Sequence, residues 1–286
     1  CAFGLGGVVY FGGASAFDPK PGHDWIMRST DGGFHWRAPS IFPWGDRDFI
    51  AIDTTSGRYR GRLYDVSLNA KRHHGHESAN LGLVRSVDNG VSFLPAVRVF
   101  TNPEPGGIPE YFSGPLTILS NGDLVEVAYG WPDSAKPKPI AVFVSTNGGA
   151  RFAPPRVVAM RTGSTLIGAQ SFKEEGASVL PLIGSDDTRG PFHNRIYVVW
   201  QDFGKRAYGA TTYLAPEGAI MIAHSGNEGK NWSDPVEVDD APSAPSRQYP
   251  QVFAPTLAVN DRGIVAVAWF DARGLSDGAG GALRMA

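Results

Sequence analysis

An all-β fold of repeated four-stranded sheets is what three observations predict for this chain. One eight-residue pattern recurs: Ser, any residue, Asp or Asn, any residue, Gly, two free positions, then an aromatic. It reads Ser29-Thr30-Asp31-Gly32-Gly33-Phe34-His35-Trp36, then Ser86 to Phe93, Ser145 to Phe152 and, more loosely, Ser225 to Trp232. Short apolar runs flank the copies, as Ile26-Met27 does the first and Val142-Phe143-Val144 the third. The copies start about 60 residues apart, with a longer last step, and a repeat of this order carrying several short strands is the mark of a propeller blade. Finally, 36 glycines and 22 prolines suit a protein made of many turns. The expected fold is a β-propeller of four-stranded blades, about five present of six, in a single domain over residues 1–286 with units near 1–45, 46–110, 111–170, 171–245 and 246–286.

Each copy of the pattern, called the box below, is expected to be a hairpin turn. The Ser hydroxyl and the Asp or Asn oxygen can accept hydrogen bonds from turn N–H groups, while Gly supplies a positive φ. The aromatic is expected to plug against the neighbouring unit. Two copies carry Asn147 and Asn227, which keep the acceptor and drop the charge, so the box has a structural job.

With strands of a blade running inner A to outer D and the box joining C to D, Val8-Val9-Tyr10-Phe11 is a B strand and Trp25 to Arg28 a C strand, with the A strand of that unit missing. The second unit starts at Asp46 to Asp53, continues through Gly61 to Val66 and is complete. The third runs from Gly114 to Leu119 through the Asn121-Gly122 hairpin signal into the alternating Leu124 to Tyr129. The fourth opens at Glu174 to Leu180 with Arg195 to Trp200 as its B strand. The fifth opens at Phe253 to Val259, turns at Asn260 to Gly263 and rises through Ile264 to Phe270, ahead of a Gly- and Ala-rich stretch from 274 to 286.

Composition narrows the function classes. With 26 basic against 28 acidic residues the net charge is −2, so a general attraction to nucleic acid or anionic membrane is not indicated. No apolar run approaches the ~20 residues of a membrane-spanning helix. A single cysteine excludes an internal disulfide framework. As residue 1 it has a lipoprotein reading, but a strand follows at once without a polar tether, and an excerpt from a longer chain is the preferred explanation. The only metal-like run is His73-His74-Gly75-His76-Glu77, without a distant third ligand, which reads as a solvated loop; no cofactor is expected. There is neither a phosphate-cradling Gly-rich loop nor a Gly-x-Ser-x-Gly elbow.

Boxes, inner-strand starts and turns together resemble the bacterial sialidase family, whose six-bladed propellers carry Asp-box (BNR) repeats. The resemblance implies an exo-α-sialidase-like glycoside hydrolase acting on terminal sialic acid or a related acidic sugar. It implies an aspartate acid/base, a tyrosine nucleophile activated by a glutamate, and arginines that clamp the sugar carboxylate bidentately. Asp18, in Asp18-Pro19-Lys20-Pro21-Gly22 ahead of the first box, stands where the acid/base is implied, with Asp24 second; a turn-forming Asp-Pro is the bland alternative. Glu175 stands where the activating glutamate is implied, with Glu174 a solvated neighbour. Arg273 is similar in place to one clamp arginine, with a salt bridge to Asp271 as the alternative. Another clamp position holds Gln201-Asp202-Phe203, with Arg206 slightly beyond, which is a departure. The first clamp arginine falls before Cys1 and the tyrosine beyond Ala286, so this stretch by itself is expected to be inactive; Tyr249 reads as a packing residue. Arg47 and Asp48, beside Asp46 at the second inner-strand start, are candidate ligand-binding groups or a local ion pair.

Two other functions stay open: a non-catalytic propeller binding glycan or protein, for which Gln201 speaks, and hydrolysis of a neutral glycan. The expected partner is a glycan, the oligomeric state a monomer, and the location secreted, periplasmic or cell-surface.

Overall fold

The computed structural model describes residues 1–14, 23–43, 45–73, 76–101, 111–130, 138–161, 180–202, 219–240, 252–271 and 284–285. Among them are five antiparallel sheets and no α-helix. The first sheet holds β1 (Ala2–Phe3), β2 (Val9–Ala14), β3 (His23–Ser29) and β4 (Ser40–Pro43) in that order. The second holds β5 (Asp46–Ile52), β6 (Leu63–His73), β7 (His76–Ser86) and β8 (Leu94–Thr101). The third is β9 (Tyr111–Ile118), β10 (Leu124–Gly130), β11 (Lys138–Ser145) and β12 (Arg156–Arg161). The fourth is β13 (Leu182–Ser185), β14 (Ile196–Asp202), β15 (Ala219–Ser225) and β16 (Val236–Glu237), and the fifth β17 (Val252–Val259), β18 (Val265–Asp271) and β19 (Arg284–Met285). Sequential four-stranded meanders of this kind are propeller blades.

One expectation needs correction. The first sheet does have an inner strand: Ala2 and Phe3 pair with Tyr10 and Val9, too short a run to show in an apolar pattern. The described inner strand of the fourth sheet is Leu182–Ser185, paired with Ile196 to Val199; residues 174–179 of the Glu174 to Leu180 run lie outside the described residues.

The chain divides into two compact units, residues 1–128 with 142–156 and residues 129–141 with 157–286. In the first unit, alternation along each strand builds a graded layer between the first two sheets. Near the boxes it is apolar: Tyr10, Ile26 and Leu63 are buried together, with Ile50, Ile52, Phe42 and Phe93 packed on them. Glycine permits the approach, since a Cβ on Gly12 would lie 2.5 Å from Ile50 Cδ1. Farther along the same strands the layer turns acidic, with Asp24, Asp48, Asp65 and Ser67 replacing the aliphatic side chains.

The boxes close the β3–β4, β7–β8, β11–β12 and β15–β16 hairpins as expected. In the second, the Ser86 hydroxyl donates to Asp88 Oδ1 at 2.7 Å and accepts from Gly90 N at 2.8 Å. Asp88 Oδ1 accepts from Ser92 N at 2.9 Å, and Gly90 has φ 73°. These bonds, the Ser86 and Ser92 hydroxyls foremost, bring the Asp88 carboxyl down to about 2. Asn147 and Asn227 accept from Arg151 N and Asn231 N at 2.9 Å, so the uncharged copies make the same turn. The plug forms in the second box, where Phe93 meets Phe42 of the first sheet edge-on at 4.8 Å. The first box departs from the expectation, for Trp36 leans on Phe11 of its own sheet at 6.2 Å. Arg28 and Arg85, each just before a box serine, reach the next box and donate to Asn89 O at 2.7 Å and Gly149 O at 2.8 Å. Ser86→Ala is expected to lower unfolding stability by ~1–2 kcal/mol, since a buried hydroxyl that both donates and accepts is lost; an unchanged melting temperature in calorimetry would refute that.

A second repeat joins the first two strands of the second and fourth sheets. It runs Asp53 to Arg62 in the first unit and Asp186 to Arg195 in the second, as Asp, x, Thr, x, Gly, x, aromatic, x, Gly or Asn, Arg. Asp53 Oδ1 accepts from Thr55 N at 2.9 Å and Asp186 Oδ1 from Thr188 N at 2.8 Å. Gly61 and Asn194 take positive φ, and the closing arginine stacks over the aromatic, 4.4 Å for Arg62 on Tyr59 and 4.1 Å for Arg195 on Phe192. In the second unit Val199, Ile220 and Val252 form a buried core joined by Leu257, Val267 and Trp269. No helix among the described residues is long and apolar enough to cross a membrane.

Candidate functional site

The acidic half of the layer between the first and second sheets is the candidate active site. Asp24 stands at the start of β3, opposite Phe42 and Ala14. Asp48 stands in the irregular stretch of β5, between the Asp46 and Phe49 pairings. Asp65 stands on β6 opposite Ile50. Alternation puts Asp65 on the face of β6 that Leu63 uses to reach the first sheet, which brings it between the other two.

Gly45, just before β5, closes the cluster. A Cβ there would lie 2.3 Å from Ser67 Oγ and 2.8 Å from Asp24 Oδ2, so only glycine lets the backbone lie against both. Asp24 and Asp65 are buried, whereas Asp48 is partly exposed. Asp65 Oδ1 is buried and without a hydrogen-bond partner among the described residues. Desolvation chiefly, then the charges of Asp48 and Asp24, push the Asp65 carboxyl well above the usual aspartate range. Like charges that face one another in a buried layer do not all ionise, and Asp65 is the member whose carboxyl is pushed toward the neutral form. The cluster therefore sets a carboxyl pushed toward its neutral form beside two further carboxyls, one of them partly exposed.

Of the residues the sequence nominates, Asp24 and Asp48 come together here. Arg47 lies on β5, and its side chain is outside what is described. Asp18, Glu174, Glu175, Arg206, Tyr249 and Arg273 fall outside the described residues, as does the centre of the His73-to-Glu77 run. Asp65 does not stand out in sequence because Leu63-Tyr64-Asp65-Val66-Ser67 reads as an ordinary strand; its signal is a carboxylate at an in-facing position, where an aliphatic side chain belongs.

In the second unit, Gln201 is buried and donates from Nε2 to Val252 O at 3.2 Å, so it seals β14 to β17. Arg161, at the end of β12, is a buried cation that the sequence did not single out. Burial brings it down to about 10, against the charge of Asp202, which favours the ionised form. Among the described residues no three His, Cys, Asp or Glu side chains are placed to hold a metal ion.

No protein-family model matches the chain, and no curated protein matches it in sequence. Solved structures do. The chain is similar to a GH93 α-L-arabinofuranosidase of Fusarium graminearum, solved with arabinobiose, at TM-score 0.56 and 14% identity over 99% of this chain and 78% of that one. It is similar to an α-L-arabinanase of Penicillium chrysogenum, also with arabinobiose, at TM-score 0.56 and 15% identity over 96% of this chain and 77% of that one. A Hadza microbial sialidase matches at TM-score 0.54 and 12% identity, over 94% of this chain and 52% of that one. At such identities the likeness is one of fold: an all-β propeller with four-stranded blades.

Proposed function

We propose that the protein is a glycoside hydrolase that removes a terminal sugar from a glycan, with the Asp24, Asp48 and Asp65 cluster as its acid–base centre. The observation that carries this is the buried Asp65 carboxyl, which burial and the charges of Asp48 and Asp24 push well above the usual aspartate range. Cleaving a glycosidic bond takes one carboxyl that gives a proton to the leaving oxygen and another that stays ionised against the developing oxocarbenium charge. Asp48, the least buried member, is the group that meets the sugar. Asp65 and Asp24 act through it, by fixing how many protons the cluster holds. The likeness to arabinofuranosidase, arabinanase and sialidase structures supports the class.

Within it, the finer reading is an exo-α-sialidase acting on terminal sialic acid or a related acidic sugar, supported by the boxes and by Asp18 and Glu175 in the implied places. In that version Asp18, on the connection into β3, supplies the proton, and Arg47, Asp48, Arg206 and Arg273 hold the sugar. A second reading, a neutral sugar, is favoured by Gln201, which is spent on the Val252 carbonyl where a carboxylate clamp would need an arginine.

A panel of fluorogenic glycosides containing an α-sialoside and an α-L-arabinofuranoside, given to the protein at its full natural length, tests both. Release from one of them is expected. Glycan binding without release from any substrate would select a non-catalytic propeller and overturn the proposal.

A further inference from the structure

The hairpin of β6 and β7 outgrows its sheet. Both strands run 11 residues, against 7 for β10 and β14, the second strands of the third and fourth sheets. The inner neighbour β5 begins at Asp46, which pairs with Leu68, and the outer neighbour β8 ends at Thr101, which pairs with Asn80. Past that level β6 and β7 pair with each other: Asn69 with Asn80, then Lys71 with Ser78 and His73 with His76. The four residues that each strand adds beyond Asn69 and Asn80, at about 3.4 Å apiece, make a two-stranded ribbon of roughly 14 Å. The His73-to-Glu77 run, a loop by its composition, thus flanks the tip of a hairpin.

Alternation gives the ribbon two unlike faces. One continues the face of β6 that carries Asp65 and Ser67, and it holds Asn69, Lys71 and His73 with Asn80, Ser78 and His76 opposite. None of the six is aliphatic. The reverse face begins with the buried Val66, Leu68 and Leu81, continues with Ala70 and Ala79, and ends with Arg72 across from Glu77. The polar row starts where the carboxyl cluster stops, since Gly45 lies against Ser67 and Asn69 is the next position on that face. Asn80 Oδ1, at the foot of the row, is buried and has no hydrogen-bond partner among the described residues. A buried acceptor without a donor is unfavourable, and a sugar hydroxyl supplies one.

By residue type the row carries one lysine and no carboxylate, Arg72 and Glu77 being on the reverse face. A glycan with hydroxyls alone finds its partners in Asn, Ser and His; the lysine in mid-row suits a carboxylate or a sulfate. Lys71 stands three positions past the Leu68–Asp46 pairing, which is about 10 Å along the strand. That places it beyond the sugar that meets Asp48.

We propose that the β6–β7 ribbon is the subsite for the part of the glycan that stays behind when the terminal sugar leaves, and that it selects a chain bearing a carboxylate or sulfate there. The juxtaposition that carries this is the row of Asn69, Lys71 and His73 with Asn80, Ser78 and His76 on the one ribbon face that leads out of the carboxyl cluster. The proposal rests on reading that cluster as a glycosidase centre.

Calorimetric titration of the full-length protein in low-salt buffer tests it, with an oligogalacturonate, a heparin-derived oligosaccharide and an uncharged arabino-oligosaccharide as probes. One acidic probe should bind at least tenfold more tightly than the neutral one, and which of the two does so separates carboxylate from sulfate. Lys71→Glu should weaken that probe by about tenfold, the worth of reversing one exposed charge, and leave the neutral probe unaffected. Arg151→Glu, the same charge change in the third box, should leave the preference intact. Ser78→Glu, opposite Lys71, serves as the second variant should Lys71→Glu melt early. Equal affinity for acidic and neutral probes, a preference that survives both ribbon variants, or an equal loss in Arg151→Glu would each overturn the proposal. These titrations need no bond cleavage, so the two readings fail separately: acidic preference without release from any glycoside removes the reaction, and release without acidic preference removes the subsite.

Discussion

Asp48→Asn is expected to lower kcat/KM on the responsive glycoside by about 10²–10⁴-fold, the usual worth of a positioned acid or base. The fall should sit in kcat, with KM little changed, because the amide keeps the shape of the carboxyl and removes only its proton chemistry. Asp48 is half-exposed, so the substitution should leave the melting temperature nearly unaltered. A loss of rate without a loss of fold would separate a chemical role from a packing one. Asp18→Ala, run alongside, distinguishes the two placements of the proton donor. If Asp18→Ala abolishes turnover while Asp48→Asn retains the wild-type rate, the acid belongs to the segment before β3 and the cluster is structural.

Why the blades were legible and the site was not follows from the kind of interaction that makes each. A box is local: Ser86, Asp88, Gly90 and Ser92 bond to one another within seven residues, so their spacing announces the turn. The Asp53 and Asp186 turns are as local, yet their Thr and closing Gly or Asn look like ordinary loop residues until two copies are set side by side. Ala2–Phe3 was missed because two residues show no alternation, although pairing makes them a strand. The carboxyl cluster is non-local. Asp24, Asp48 and Asp65 sit on three strands of two sheets, and nothing near Asp65 in sequence says that its face of β6 looks at Asp24. Gly45 gave no sign either, being one glycine among 36; only its approach to Ser67 and Asp24 gives it a task. Asp48 stands out in sequence by its position at the start of the second inner strand. Gln201 carried a readable departure from the family pattern, and its bond to Val252 O supplies the physical content of that departure.

Stability should fall as pH rises, and two buried acids decide where. Burial raises Glu126 on β10 well above its usual range, with a weak opposing contribution from the Ser113 hydroxyl, which donates to it at 3.4 Å. Burial and the neighbouring carboxylates raise Asp65. For each, the folded chain holds a proton that the unfolded chain has released once pH exceeds the ordinary carboxyl values of 4.5 and 3.8. The folded state then binds more protons than the unfolded one, so the stabilisation is complete below those values and is lost as pH climbs through the raised ones. Within that window each group costs about 1.4 kcal/mol per pH unit. Glu126→Gln and Asp65→Asn keep the volume and cannot ionise, so each should flatten the decline in unfolding free energy between pH 5 and the alkaline side, and the double variant should flatten it further. At pH 3, below both ordinary values, the variants should differ little from wild type, since the native carboxyls are then largely neutral in both states. Denaturant unfolding at a series of pH values reads this without any substrate, which keeps it independent of the reaction assigned to the cluster. A wild-type chain that gains stability on going from pH 5 to pH 8, or an Asp65→Asn variant with the wild-type slope, would mean that Asp65 is ionised in the folded protein and that the cluster holds no proton to give.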